Sequence, residues 1–158
     1  MTTSLINLIT FSRILIAVFI FSFLAIEKYY LLALVLFFIA GLSDYLDGFF
    51  ARKYNASSQI GEILDPLADK ILIIFVFFGL AVNLSSFFIA FAASLIITRE
   101  IWISSLRDYN ARNNNANATK VIYIAKIKTS IQLFTILIYL TGLAFNKMLL
   151  IILGDFFM

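Results

Sequence analysis

Four aspartates carry the chemistry that this sequence offers. Asp44 and Asp47 are three residues apart, and Asp65 and Asp69 are four apart. On a helix both spacings put the two carboxylates of a pair on one face. If the two pairs met, each pair of like charges about 4 Å apart would repel by about 4 kcal/mol at an effective dielectric near 20. Such a cluster must take up protons or recruit cations. Oxygen-only ligands favour Mg2+ or Mn2+, and two ions sharing carboxylates about 3.5–4 Å apart are a recurrent device for phosphoryl chemistry. The chain has no histidine and no cysteine. A His base, a thiolate nucleophile and a zinc site of the His/Cys kind are therefore excluded.

The residues between the pairs suit a phosphate ligand. Gly48 has no side chain, so a ligand can approach the backbone there, although close helix packing would explain it equally well. Arg52 can grip a phosphate bidentately or lie as an interfacial arginine. Gly61 is expected in the turn before the third helix, and Pro66 in that helix's first turn, where its missing N–H costs little.

The elements that hold these residues must cross a membrane. Of 158 residues, 63% are hydrophobic and 13% are charged, with a mean hydropathy of +1.02. A soluble domain has about 45–50% and about 25% respectively. A spanning helix needs about 20 apolar residues. Leu5–Ile26 meets this with Arg13 as its one interruption, and the lack of a basic residue ahead of Arg13 argues for a retained helix rather than a cleaved leader. Tyr29–Ser43 is too short alone and must continue through Asp44 and Asp47 toward Ala51. Ile71–Val82 is also too short, and must begin near Ile63 and include Asp65 and Asp69. A fourth helix is expected from Phe87 to Ser105, a polar loop over Arg107–Lys120, and a fifth helix from Ile127 to Phe145. Lys147–Met158 is too short for a full span.

We therefore expect an all-α integral membrane protein, a bundle of five to six transmembrane helices forming one domain over residues 1–158. With the N-terminus inside, ten basic residues fall on or near the cytoplasmic side, and Lys28 and Lys147 on the other. The positive-inside rule supports that orientation. Both aspartate pairs then lie at cytoplasmic helix ends, and a short connection makes the two helices antiparallel neighbours. The net charge of +3 gives no reason to expect nucleic acid.

Asp44-Tyr45-Leu46-Asp47-Gly48-Phe49-Phe50-Ala51-Arg52, eight residues, Gly61, three residues, Asp65, three residues and Asp69 have the form D-x2-D-G-x2-A-R-x8-G-x3-D-x3-D. This resembles the signature of the CDP-alcohol phosphatidyltransferases at every fixed position. Asn7, Thr10 and Arg13 look like the N-x2-T-x2-R motif of the family's first helix. Asp65-Pro66-Leu67-Ala68-Asp69-Lys70, Thr98-Arg99-Glu100-Ile101, Leu106-Arg107 and Lys126-Ile127-Lys128-Thr129 are similar to the phosphatidylglycerophosphate synthase branch. That branch usually has glycine where this chain has Ala125.

The resemblance implies transfer of a phosphatidyl group from CDP-diacylglycerol to sn-glycerol 3-phosphate, with CMP as the leaving group. It implies Asp44, Asp47 and Asp65 as ligands to Mg2+ or Mn2+, and Asp69 as both ligand and general base. It implies Gly48, Arg52 and Ser58 against the CDP group, with Asn7 and Thr10 closing the nucleotide site. It also implies a six-helix bundle, often a homodimer, in a bacterial cell (inner) membrane with the site facing the cytoplasm. The acceptor brings its own phosphate, for which Arg99, Arg107, Lys126 and Lys128 are the clustered cations; each is equally explained by positive-inside topology. Two rivals follow: a relative using inositol phosphate, serine or a phosphatidylglycerol as acceptor, and a small membrane cation carrier.

Overall fold

The computed structural model describes residues 3–54, 59–113 and 123–158. Within these segments, side chains are described for 8–46, 64, 66–106, 109–110, 112–113 and 128–158. The described residues form six helices: α1 (Thr3–Ala25), α2 (Tyr30–Tyr54), α3 (Gln59–Asn83), α4 (Phe87–Arg112), α5 (Tyr123–Ala144) and α6 (Met148–Phe157). Leu8–Ala25, Pro66–Asn83 and Phe87–Leu106 are long and apolar enough to cross a membrane. The chain is an all-α membrane protein.

The packing follows a repeat of three and four residues. On α1, Thr10, Arg13, Ala17, Ile20 and Leu24 are all buried, and their spacing is that of a helix–helix seam. On α2 the seam is Ala33, Phe37 and Ala40, and Asp44 comes four residues later. On α3 it is Leu72, Val76 and Leu80, with Asp69 three residues before Leu72. The apolar side chains of these seams, with Ile89 and Ala93 of α4 and Ile136, Tyr139 and Leu140 of α5, make one contiguous core. α3 is central: it packs against α1, α4 and α5, while α2 packs against α1 and α5.

Small residues permit the close contacts, as is usual between membrane helices. A Cβ on Gly79 of α3 would lie 2.9 Å from Leu24 Cδ1 and 3.4 Å from the backbone of Phe21 on α1. The outward-facing side chains include many large apolar residues, among them Phe19, Phe38, Phe87 and Phe156, which suit lipid rather than water.

The three short turns share one construction. Glu27, Ser85 and Asn146 take positive φ of 58°, 46° and 54°. In each turn the next residue's N–H closes a six-residue ring onto a helical carbonyl: Lys28 to Phe23 (3.2 Å), Ser86 to Ala81 (3.1 Å) and Lys147 to Gly142 (2.8 Å). This is the Schellman way of ending a helix. Asn83 then ties three helices together at that end, donating from Nδ2 to the Leu24 carbonyl (2.9 Å) and to the Tyr30 hydroxyl (3.0 Å).

The sequence-based helix bounds hold with three corrections, one being that α5 begins at Tyr123, a turn before the expected Ile127. α3 begins at Gln59, so Gly61 lies inside its first turn rather than in the preceding loop, and Pro66 is the eighth residue rather than a first-turn residue. The missing N–H of Pro66 would have reached the carbonyl of Glu62. Such prolines are tolerated in membrane helices because neighbouring groups can satisfy the released carbonyl. α4 runs to Arg112, so Arg107 stands in a helix rather than in the expected polar loop, of which residues 114–122 lie outside the description. Lys147–Met158 forms a ten-residue helix folded back on α5.

Candidate active site

The stripe on α1 carries Arg13 into the bundle, where it is fully buried. Its Nη1 donates to Asp69 Oδ1 at 2.8 Å and stands 3.1 Å from Asp44 Oδ1. One nitrogen thus joins α1, α2 and α3. The two carboxylates face a common point although they come from different helices. Their other sides are open: the side chains of Asp44 and Asp69 keep 52% and 44% of their exposure. Thr10, one turn earlier on the same stripe, is also buried.

The same seams explain the convergence. Asp44 continues the spacing of Ala33, Phe37 and Ala40, and Asp69 that of Leu72 and Val76. Each aspartate is placed where the apolar seam of its helix ends. The charge is then held between helices without being sealed from solvent, which would cost several kcal/mol per ion.

A cleft of about 170 Å³ opens beside Asp69, lined by Pro66, Asp69, Lys70, Ile73 and Ile74 of α3, Ile96, Ile97 and Glu100 of α4, and Lys128, Thr129 and Gln132 of α5. Its walls hold a chain of polar contacts. Lys70 Nζ donates to Ser104 Oγ. Glu100 Oε1 accepts from Lys128 Nζ and from Arg99 Nη1, the latter at 3.2 Å. Arg99 itself lines a second hollow with Lys128, Gln132, Phe157 and Met158. Lys128 borders both spaces, and Glu100 joins the two cations.

Of the residues singled out from the sequence, Asp44 and Asp69 come together, and Arg99 and Lys128 share Glu100. The side chains of Asn7, Asp47, Arg52, Asp65, Arg107 and Lys126 and the surroundings of Gly48 lie outside the described ones, as does Ser58 altogether. Among the described residues, no group of three acidic residues gathers as a metal site. Sequence reasoning gave Arg13 no contact with the aspartates and gave Glu100 no place at the site. The signal for Arg13 was present: it occupies a seam position between Thr10 and Ala17. Nothing in the spacing foretells Glu100 as the link between two helices.

Comparison with known proteins gives the same family as the motif. The family model for the CDP-alcohol phosphatidyltransferases matches residues 3–157. The chain is 42% identical over 113 residues to a CDP-diacylglycerol–glycerol-3-phosphate 3-phosphatidyltransferase of Blochmanniella floridana, over 72% of this chain and 60% of that protein. It is 41% identical over 102 residues to the protein of that name from Wigglesworthia glossinidia brevipalpis, over 65% of this chain and 56% of that protein. It is 36% identical over 127 residues to the Haemophilus influenzae protein of that name, covering 80% and 69%. The chain thus spans somewhat over half the length of the first two relatives. With the family model covering nearly every residue, the chain belongs to the CDP-alcohol phosphatidyltransferase family.

Proposed function

We propose that this protein transfers the phosphatidyl group of CDP-diacylglycerol to sn-glycerol 3-phosphate, forming phosphatidylglycerophosphate and CMP. The observation that supports this best is the meeting of Asp44 and Asp69 beside a cleft bordered by Lys70 and Lys128. Relatives bearing the name of that activity point the same way.

In this reading the C1 hydroxyl of the acceptor lies at Asp69. Asp69 accepts the hydroxyl proton as the oxygen attacks the lipid-side phosphorus. The new P–O bond forms while the bond from that phosphorus to the CMP phosphate oxygen breaks, and CMP departs with the electron pair. Lys128 meets the acceptor's own phosphate from α5, with Arg99, Arg107 and Lys126 as the further cations of that region. Arg52, Gly48, Ser58, Asn7 and Thr10 hold the CDP group.

The donors described fit a divalent ion: two carboxylates from different helices present oxygens to one point, in a chain with no nitrogen or sulfur ligand of the His/Cys kind. Asp44, Asp47, Asp65 and Asp69 would hold Mg2+ or Mn2+, two ions in this reading. When bound, such ions neutralise phosphate charge and stabilise the leaving group.

The protein acts, in this proposal, as one domain over residues 1–158, in the cell (inner) membrane of a bacterium with the cleft toward the cytoplasm, and as a homodimer. The basic residues gathered at that end favour the orientation, and the relatives are bacterial. Incubation with CDP-diacylglycerol, magnesium and a panel of labelled alcohols tests the acceptor. Labelled lipid from glycerol 3-phosphate alone supports the reading. Product from inositol phosphate, serine or phosphatidylglycerol instead replaces the acceptor while keeping the family chemistry.

A further inference from the structure

Among the described residues Arg13 is the one charged side chain that is fully buried, and it comes from a helix whose described side chains include no carboxylate. Its charge sits where Oδ1 of Asp44 and Oδ1 of Asp69 converge, 3.1 and 2.8 Å from one nitrogen. A divalent ion held by those same oxygens would bring like charge to the same point. Two cations at contact distance from one pair of oxygens repel. The guanidinium and the ion therefore compete.

We propose that Arg13 is a resident counter-ion of the acidic site. Before an ion binds, its guanidinium holds Asp44 and Asp69 together across α1, α2 and α3. When the ion binds, the guanidinium gives up at least one of the two oxygens, so Arg13 keeps the site assembled at the expense of ion affinity. The planar fork suits this exchange, because its several N–H groups point in different directions and the group never loses its charge. The seam spacing of Thr10, Arg13 and Ala17 fixes the side chain's direction, so the counter-ion is built into the packing of α1. This inference rests on reading Asp44 and Asp69 as ion ligands.

The test uses the full chain in detergent, without lipid substrate or acceptor. Mn2+ binding is measured by calorimetry, and thermal unfolding is followed in EDTA and in saturating Mn2+. For Arg13→Gln the expected Mn2+ Kd is about tenfold lower than for the native protein, because the guanidinium charge beside those two oxygens is gone. Its Tm should fall in EDTA, where the carboxylates repel, and recover much of that loss in Mn2+. A brace with no relation to the ion would lower Tm equally in both conditions and leave Kd unchanged or raised; either result overturns the proposal. Should Arg13→Gln not fold, Arg13→Lys decides. A single ammonium at shorter reach bridges two carboxylates less well, so a Kd between the native and tenfold-lower values is expected, and a Kd equal to or above native overturns the proposal. If the native protein binds no Mn2+, the reading of the aspartates as ion ligands fails, and the counter-ion role fails with it.

Discussion

Arg13 Nη1 lies 2.8 Å from Asp69 Oδ1, across the contact between α1 and α3. The pair connects a helix outside the aspartate motif to the residue that the proposed chemistry needs most. Small residues lie along that contact. Ala17 on α1 and Ala68 on α3 are fully buried, and Gly79 of α3 lets α1 approach closely at Phe21 and Leu24, farther along the same contact. Position and packing are therefore one property here: a change that parts α1 from α3 also moves Asp69.

Asp69→Asn tests the proton acceptor. The amide keeps the size and one acceptor oxygen of the carboxylate but cannot take a proton in the transition state. CMP release should fall by about 10²–10⁴-fold, the usual contribution of a positioned base. Binding of CDP-diacylglycerol, measured separately on the purified variant, should persist. Turnover close to native would remove Asp69 from that role.

Lys128→Ala tests the acceptor pocket. A charge-assisted hydrogen bond to a phosphate contributes about 1.5–3 kcal/mol, which corresponds to about 10–100-fold in binding. The KM for glycerol 3-phosphate should rise by about that factor, with the KM for CDP-diacylglycerol nearly unchanged. An equal rise in both would mean that Lys128 supports the whole site rather than the acceptor. Glu100→Gln should change the acceptor KM as well, since it releases Lys128 and Arg99 from their shared carboxylate.

Gly154→Ala tests the docking of α6. A Cβ there would lie 2.8 Å from two carbons of the buried Tyr139 ring, whose hydroxyl donates to Asp155 at 2.6 Å. Overpacking of this kind costs about 1–3 kcal/mol, and Tm should drop accordingly. Gly41→Ala is the control: a Cβ at Gly41 meets nothing within 4 Å, so its stability should stay near native or rise slightly through helix propensity.

Asn83→Leu tests the tie at the opposite end. It removes two hydrogen bonds and leaves the Leu24 carbonyl and the Tyr30 hydroxyl to find new partners. A loss of about 1–3 kcal/mol is expected for groups left unsatisfied. Thermal unfolding in detergent measures it, and an unchanged Tm would show that the tie carries no stability.

The aspartates were legible in the sequence because an apolar run too short to span has to be completed by something. Tyr29–Ser43 and Ile71–Val82 each needed an aspartate pair, and α2 and α3 extend through both pairs as expected. Arg13 was harder to read. In a helix apolar on every side, an arginine looks like an interruption, and its meaning comes from the seam of Thr10, Ala17, Ile20 and Leu24, which stands out once burial is known. Glu100 was illegible for a different reason: its partner Lys128 is 28 positions away, and no local spacing pairs residues of α4 and α5. Pro66 departs from the first-turn preference of proline because α3 starts seven residues before it, at Gln59.

The central claim is the transfer reaction, and stoichiometry tests it most directly. The purified full chain is given CDP-diacylglycerol, labelled glycerol 3-phosphate and magnesium, and CMP and labelled lipid are counted together. Equimolar CMP and phosphatidylglycerophosphate, both abolished by chelator, is the result expected. No CMP release that depends on the CDP-lipid would contradict the account and leave a membrane cation carrier as the better reading of the same aspartates.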